Sequence, residues 1–219
     1  MKLGRIQSKH DSRTLHLADY VKIASLSVAP ANELLESTVS WPMLANNRFN
    51  CCTSAAAGHM VHHWTAANQR RVFLTEEDVI RAHASLTGDR LMDSVTMLDA
   101  LKFWRKTGIG KHRVHSFVNA HAQDTDELRG VIHLFGSAYI GLDLPQFVLA
   151  GDPTGWLKIP WSIPGSVSAE DSAPKVANGH CVTAIGYSEE GIYVVTWGTL
   201  KTVSWEFYQR YNVENVCRT

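Results

Sequence analysis

The chain has 219 residues, with 21 lysines and arginines against 21 aspartates and glutamates, and 45% of it is hydrophobic. That length supports one domain with a substantial core. Balanced charge offers no basic stripe for nucleic acid, and no apolar run approaches the ~20 residues that span a bilayer, so neither is an expected partner. The first twenty residues, MKLGRIQSKHDSRTLHLADY, hold no apolar centre of a secretory signal. Four cysteines in a chain this long do not make a disulfide framework. The expected location is therefore the cytoplasm.

In chain order, residues 1 to about 45 read as an extended N-terminal arm with turns at Pro30 and Pro42. From Cys52 to about Gln69 the residues suit a helix, with Ala55, Ala56, Ala57, Met60, Val61 and Trp64 covering most of its circumference. A helix apolar nearly all round is buried, and Gly58 would let another backbone come close. LTEEDVIRAHASLTG reads as a second helix capped by Thr75, with Glu76, Glu77 and Asp78 at the positive end of its dipole. DSVTMLDALKFWRKTGIG reads as a third, with Val95, Leu98, Leu101 and Phe103 as its apolar face and Gly108 as its stop.

The second half changes character. A short helix over about Asp126–Phe135 leads into a strand in SAYIGLDLP. A long Pro-, Gly- and Ser-rich loop follows, GDPTGWLKIPWSIPGSVSAEDSAPKVAN, of a length that is usually functional or mobile. GHCVTAIGY and GIYVVTWG then flank SEEG as a β-hairpin, and SWEFYQRY reads as a short helix capped by Ser204. The whole reads as one domain, residues 1–219, with a helical lobe over about 46–125 and a β-rich lobe over about 126–219.

The chemistry concentrates around NNRFNCCTSAAAGHM. A helix N-terminus stabilises thiolate, and Cys52 opens the first helix. His180, at the start of an apolar strand after Gly179, supplies an imidazole to move the thiol proton. Asn46, six residues before Cys52, is an amide that can hold an oxyanion together with the Cys52 N–H. Asn47 beside it, and Asn46 itself, also suit a plain turn. Cys51 reads as a neighbour of the nucleophile, and a Cys51–Cys52 disulfide would be strained, because adjacent Cα atoms lie about 3.8 Å apart. Read blandly, Cys52 is a small buried hydrophobe, His180 a satisfied strand histidine and Trp197 a core indole.

In this order and spacing the motifs resemble the papain-like cysteine peptidases. NNRFNCCTS looks like that family's glutamine-to-cysteine element, NGHCVTAIGY like its histidine strand and VVTWGTL like its Asn-Ser-Trp-Gly element. The resemblance covers roughly Trp41 to Gly198 and is similar to compact bacterial or phage-type members whose nucleophile motif reads Asn-Asp-x-x-Gly-Asp-Cys. It implies an α+β fold with a cleft between the lobes. It implies Cys52 as nucleophile, His180 as general base and acid, Asn46 in place of the oxyanion glutamine, and Trp197 as the indole shielding the histidine. It implies no cofactor and a peptide or protein substrate.

The departures are specific. The family's orienting asparagine falls on Val195 counting back from Trp197, and on Thr196 counting forward from His180; only threonine can hydrogen-bond. The glycine two before the nucleophile is Asn50, which tolerates positive φ. The aromatic after the cysteine is Thr53, and no inhibitory pro-segment of the usual length is seen. Alternatives to a peptidase are a catalytically silent binding module of the same fold, or another thiol acyltransferase or amidase using the same dyad. His59 and His63, four apart, form a metal-like pair without a glutamate after His59, and the expected site holds no metal. His112 and His115 are expected at the surface of a strand. Asp143 and Asp152 could polarise the cleft, and Trp156 and Trp161 could line it or pack the long loop onto the sheet.

Overall fold

The computed structural model describes residues 1–22, 30–34, 40–67, 72–150 and 160–218. Its first elements are strands β1 (Arg5–Ile6), β2 (Leu15–His16) and β3 (Glu33–Leu34), then helices α1 (Cys52–Ala67) and α2 (Glu76–Thr87). β4 (Val95–Thr96), α3 (Met97–Lys106), β5 (Phe117–Ala120), α4 (Thr125–Phe135), β6 (Ala138–Asp143) and α5 (Gln146–Leu149) follow. The chain closes with β7 (Gly179–Tyr187), β8 (Gly191–Thr196), β9 (Thr199–Ser204), α6 (Trp205–Tyr211) and β10 (Asn212–Arg218). This is the expected α+β architecture, a helical N-terminal part and an antiparallel sheet region.

α1 is buried on every side from Cys52 to Trp64, and two of its long polar side chains find partners inside the protein. His59 Nε2 meets Pro42 O at 2.8 Å, and Trp64 Nε1 donates to Phe135 O at 3.0 Å. The sheet reaches the helix in the same way: Tyr139 Oη donates to Thr53 O and Thr183 Oγ1 to Ala56 O. Gly58 admits a side chain rather than a backbone, since a methyl there would lie 2.7 Å from Leu44 Cδ1.

α2 begins as expected, with Thr75 and Asp78 closing a reciprocal capping box, and Gly88 ends it at φ 61°. α3 starts later than the pattern implies. Thr96 caps it, and Val95 is instead a strand residue paired with Arg5. Its buried face is Met97, Ala100, Leu101 and Trp104, the i, i+3, i+4, i+7 stripe. Leu98 and Phe103 sit at its margin.

The main sheet runs β2-β5-β10-β6-β7-β8-β9, with β3 also on β7. β5, β9 and β10 were not expected as strands. β10 hides its pattern because Asn212 and Asn215 are buried polar residues. Asn212 Nδ2 donates to Gly141 O, and Asn215 Nδ2 donates to Tyr208 Oη. The sheet carries a core on each face, as alternation along a strand requires. Ile140, Val182, Val194, Trp161 and Trp197 pack with α4 and α6. Tyr139, Cys181 and Val216 pack with Cys52, Ala56 and Met60 of α1. Among the described residues no helix is long and apolar enough to cross a membrane.

Candidate active site

Cys52 is the first residue of α1 and is 1% exposed. The turn that delivers it is strained. Leu44 and Ala45, both fully buried, stand in consecutive left-handed conformations at φ 51° and 62°. Residues with a Cβ cost roughly 1–2 kcal/mol each there, and such strain gathers where a side chain must be aimed. The next residue is Asn46. Asn50, expected to carry positive φ, does not. Its N–H donates to Leu91 O and its side chain to Met92 O, which ties the turn to the α2–β4 loop.

His180 is the second residue of β7 and is fully buried. Its Nε2 lies 2.7 Å from Thr196 Oγ1. Trp197 stacks on the ring at 4.5 Å between centroids and 24° between planes, and Trp161 meets it edge-on at 6.4 Å. Thr196 pairs with Thr199 across a two-residue loop, Trp197-Gly198, with φ 46° and 69°. Positive φ at both loop residues is the tight hairpin turn that suits the twist of two strands. A tryptophan at the first of them is costly, and its indole lies over His180. Val195 faces away, packed with Trp41 and Ile185. Of the two residues that counting left open, Thr196 is the one that meets the imidazole.

Burial decides the electrostatics. It pushes the Cys52 thiol up to about 12, although the N–H groups of Cys181, Thr53 and Cys52 and the charge of Arg5 all oppose the rise. Burial, and secondarily Arg5, pulls His180 down to about 3. Burial thus opposes the thiolate expected from the helix N-terminus, because desolvation outweighs the helix end. His180 Nδ1 is buried with no hydrogen-bond partner among the described residues, so it is not spent on Cys52 or on any other group.

Residues 2–5 lie against the candidate site. Lys2 N donates to Asn46 O, and Lys2 O accepts from Asn46 Nδ2 at 3.2 Å and from Trp197 Nε1 at 2.9 Å. Gly4 N donates to Gly179 O, and Val95 N donates to Gly4 O. A methyl at Gly4 would lie 1.9 Å from Asn50 O, and one at Gly179 would lie 2.1 Å from Arg5 O. Residues 2–5 therefore run between the residues preceding Cys52 and those flanking His180. The sequence reads this stretch as an arm; Gly4 within it and Gly179 opposite it are the two small residues that admit the close backbone approach.

No protein-family model matches the sequence, and no curated protein does. Solved structures do. Xylellain, a cysteine protease from Xylella fastidiosa, superposes with a TM-score of 0.75 at 11% identity, over 99% of this chain and 95% of that one. Digestive procathepsin L 3 from Tenebrio molitor larval midgut gives 0.62 at 12% identity, over 99% and 75%. A Carica candamarcensis cysteine protease in complex with E-64 gives 0.56 at 11% identity, over 87% and 98%. This chain has the papain-like fold.

Within the papain-like fold the other expectations sort by position. His59 and His63 turn to different carbonyls, of Pro42 and Gly136, and among the described residues no cluster of three or more His, Cys, Asp or Glu could hold a metal. His112 lies in an isolated bridge with Ile109 and His115 in an exposed bend, neither on a strand. Trp161 takes the packing role, 3% exposed against Phe207 and Trp197. Asp143 is engaged by Arg5, a contact that spacing gave no means of finding. Asp152 and Trp156 fall outside the described residues.

Proposed function

We propose that the protein is a papain-like cysteine peptidase, a hydrolase of peptide or amide bonds. The observation that carries this reading is His180: one ring nitrogen is held by Thr196 beneath Trp197 and the other is unspent. With Nε2–H donating to Thr196 Oγ1, Nδ1 is the basic nitrogen. It takes the Cys52 Sγ proton as sulfur attacks the substrate carbonyl carbon. The carbonyl oxygen gains the electron pair and is held by the Asn46 amide and the Cys52 N–H. The imidazolium then protonates the leaving amine as the C–N bond breaks. Water attacks the thioester, giving its proton to Nδ1, and the carboxylic acid leaves as Cys52 regains its proton. No cofactor enters.

A peptide or protein substrate is supported by the site's own occupant. A peptide carbonyl, that of Lys2, already accepts from Asn46 Nδ2 and Trp197 Nε1. The E-64 complex of the Carica protease supports the same chemistry. A second reading, a silent binding module, is favoured by the burial of both Cys52 and His180.

E-64 labelling separates the two. The protein, His180→Ala and Cys52→Ser are incubated with E-64, and Cys52 is followed by peptide mass spectrometry alongside hydrolysis of a mixed fluorogenic peptide set. A peptidase labels at Cys52 and hydrolyses, and both variants lose the two signals. Labelling and hydrolysis absent from all three proteins, and from Gly4→Ala as well, would favour the silent module over the peptidase.

A further inference from the structure

Arg5 is a buried charge, 2% exposed. Its side chain has no exposure, its Nη2 pairs with Asp143 and its Nη1 with Glu214 at 2.8 Å. The two carboxylates come from different strands, the end of β6 and β10. Gly141 makes the room: a methyl there would lie 2.7 Å from Met97 Sδ and 3.0 Å from Arg5 Cδ. Gly141 pairs with both Glu214 and Cys181 across the sheet, so the pocket adjoins the strand that carries His180. Two carboxylates face one guanidinium, which leaves the pocket with a net negative charge even when filled. Glu214 and Met97 also border a solvent-reachable cavity lined by Ser8, His10 and Asp11, so the Glu214 carboxylate is not sealed off.

A buried ion pair is weak evidence for stability, since hydrophobic residues would serve as well or better. What this arrangement does provide is selectivity. Two arms of a planar fork reach two separate carboxylates, which a single ammonium cannot reproduce. We propose that Asp143 and Glu214 form a guanidinium-binding specificity pocket for peptide substrates, filled in this state by Arg5 of the chain's own N-terminal strand. The ligand is an arginine-bearing peptide that replaces residues 2–5. This rests on the hydrolase reading for its purpose, and not for its chemistry of binding.

The test uses the full chain carrying Arg5→Ala and three probes: acetyl-Leu-Gly-Arg-amide and its lysine and citrulline counterparts. Affinity is measured by calorimetry, and Cys52 access by its rate of alkylation with iodoacetamide. The arginine peptide is expected to bind at least about tenfold tighter than the citrulline peptide, which corresponds to about 1.4 kcal/mol, and tighter than the lysine peptide. It is expected to slow Cys52 alkylation several-fold. Adding Glu214→Gln removes both effects. Equal affinity for arginine and citrulline, or binding without protection of Cys52, overturns the pocket. Should Arg5→Ala not fold, Arg5→Gln, which fills more of the space and keeps an N–H donor without the charge, serves in its place. Arginine-selective binding with no hydrolysis of any peptide leaves the pocket standing and sinks the peptidase. Hydrolysis indifferent to arginine does the reverse.

Discussion

Thr196 Oγ1 and His180 Nε2 are 2.7 Å apart, and that contact is the ring's one hydrogen bond, since Nδ1 has none among the described residues. Thr196→Val keeps the shape and removes the hydroxyl, which leaves both nitrogens buried and unpaired. An orphaned buried polar group costs about 1–3 kcal/mol, and urea unfolding of Thr196→Val should show that loss. Thr196→Ser keeps the oxygen and gives up one methyl, about 0.8 kcal/mol. Equal losses in the two variants would mean the hydroxyl does not hold the ring.

Stability should fall with acid. His180 and His59 are pulled down by burial, to about 3 and about 4, from an ordinary value of 6.5. Below 6.5 the unfolded chain binds protons that the folded protein refuses. Stability is therefore fully present above pH 6.5 and is lost as pH falls toward 4. Two such groups give a slope of up to about 2.7 kcal/mol per pH unit, and His62, also lowered by burial to about 4, acts in the same direction. Urea midpoints measured from pH 7 to pH 4.5 check this. A flat profile would mean these rings are protonated in the fold.

Much of the fold was legible because its signals are local. Thr75, Ser204 and Gly88 sit at helix ends where caps are expected, and the α1 alanines announce a buried helix. The Cys52, His180 and Trp197 positions follow from motif order. What stayed hidden depends on distant partners. β4 exists because β1 lies beside it. β10 buries asparagines that only the folded sheet can satisfy. Arg5 reads as a surface charge until Asp143 and Glu214, 138 and 209 residues away, enclose it. The thiol's protonation state was hidden for the same reason. A helix start and a buried helix are visible in sequence, and the balance between desolvation and the helix end at Cys52 is not.

Gly4 should act as the catch on the closed site. Its φ is 136°, and a side chain would press into Asn50 O. Gly4→Ala is expected to displace residues 2–5 while the buried residues of the core clusters remain, since of residues 2–5 only Leu3 packs against them, and from the margin. Water then reaches Cys52 and His180, and both groups move back toward their ordinary values. Alkylation of Cys52 at pH 8 should rise at least about tenfold, the effect of about 1.4 kcal/mol. An unchanged rate, with the near-ultraviolet spectrum intact, would show that the N-terminal strand does not control access.

The adjacent thiol gives the cleanest contrast. Cys51 is fully buried with Leu44, Ala45, Ala55 and Val79, and its Sγ donates to Leu44 O at 3.6 Å. Burial pushes its thiol up to about 12. Those neighbours are the strained turn and the flank of α1, so its work is packing. Cys51→Ala removes one sulfur and leaves its space poorly filled, at a cost of about 1–2 kcal/mol by the scale of large-to-small changes. It should leave the E-64 labelling of Cys52 unchanged, because Cys52 lies in a different cluster with Cys181 and Tyr139. Labelling that moved to Cys51 in Cys52→Ala would reverse the assignment. Labelling lost in Cys51→Ala with stability unchanged would give Cys51 a part in the chemistry that its surroundings deny.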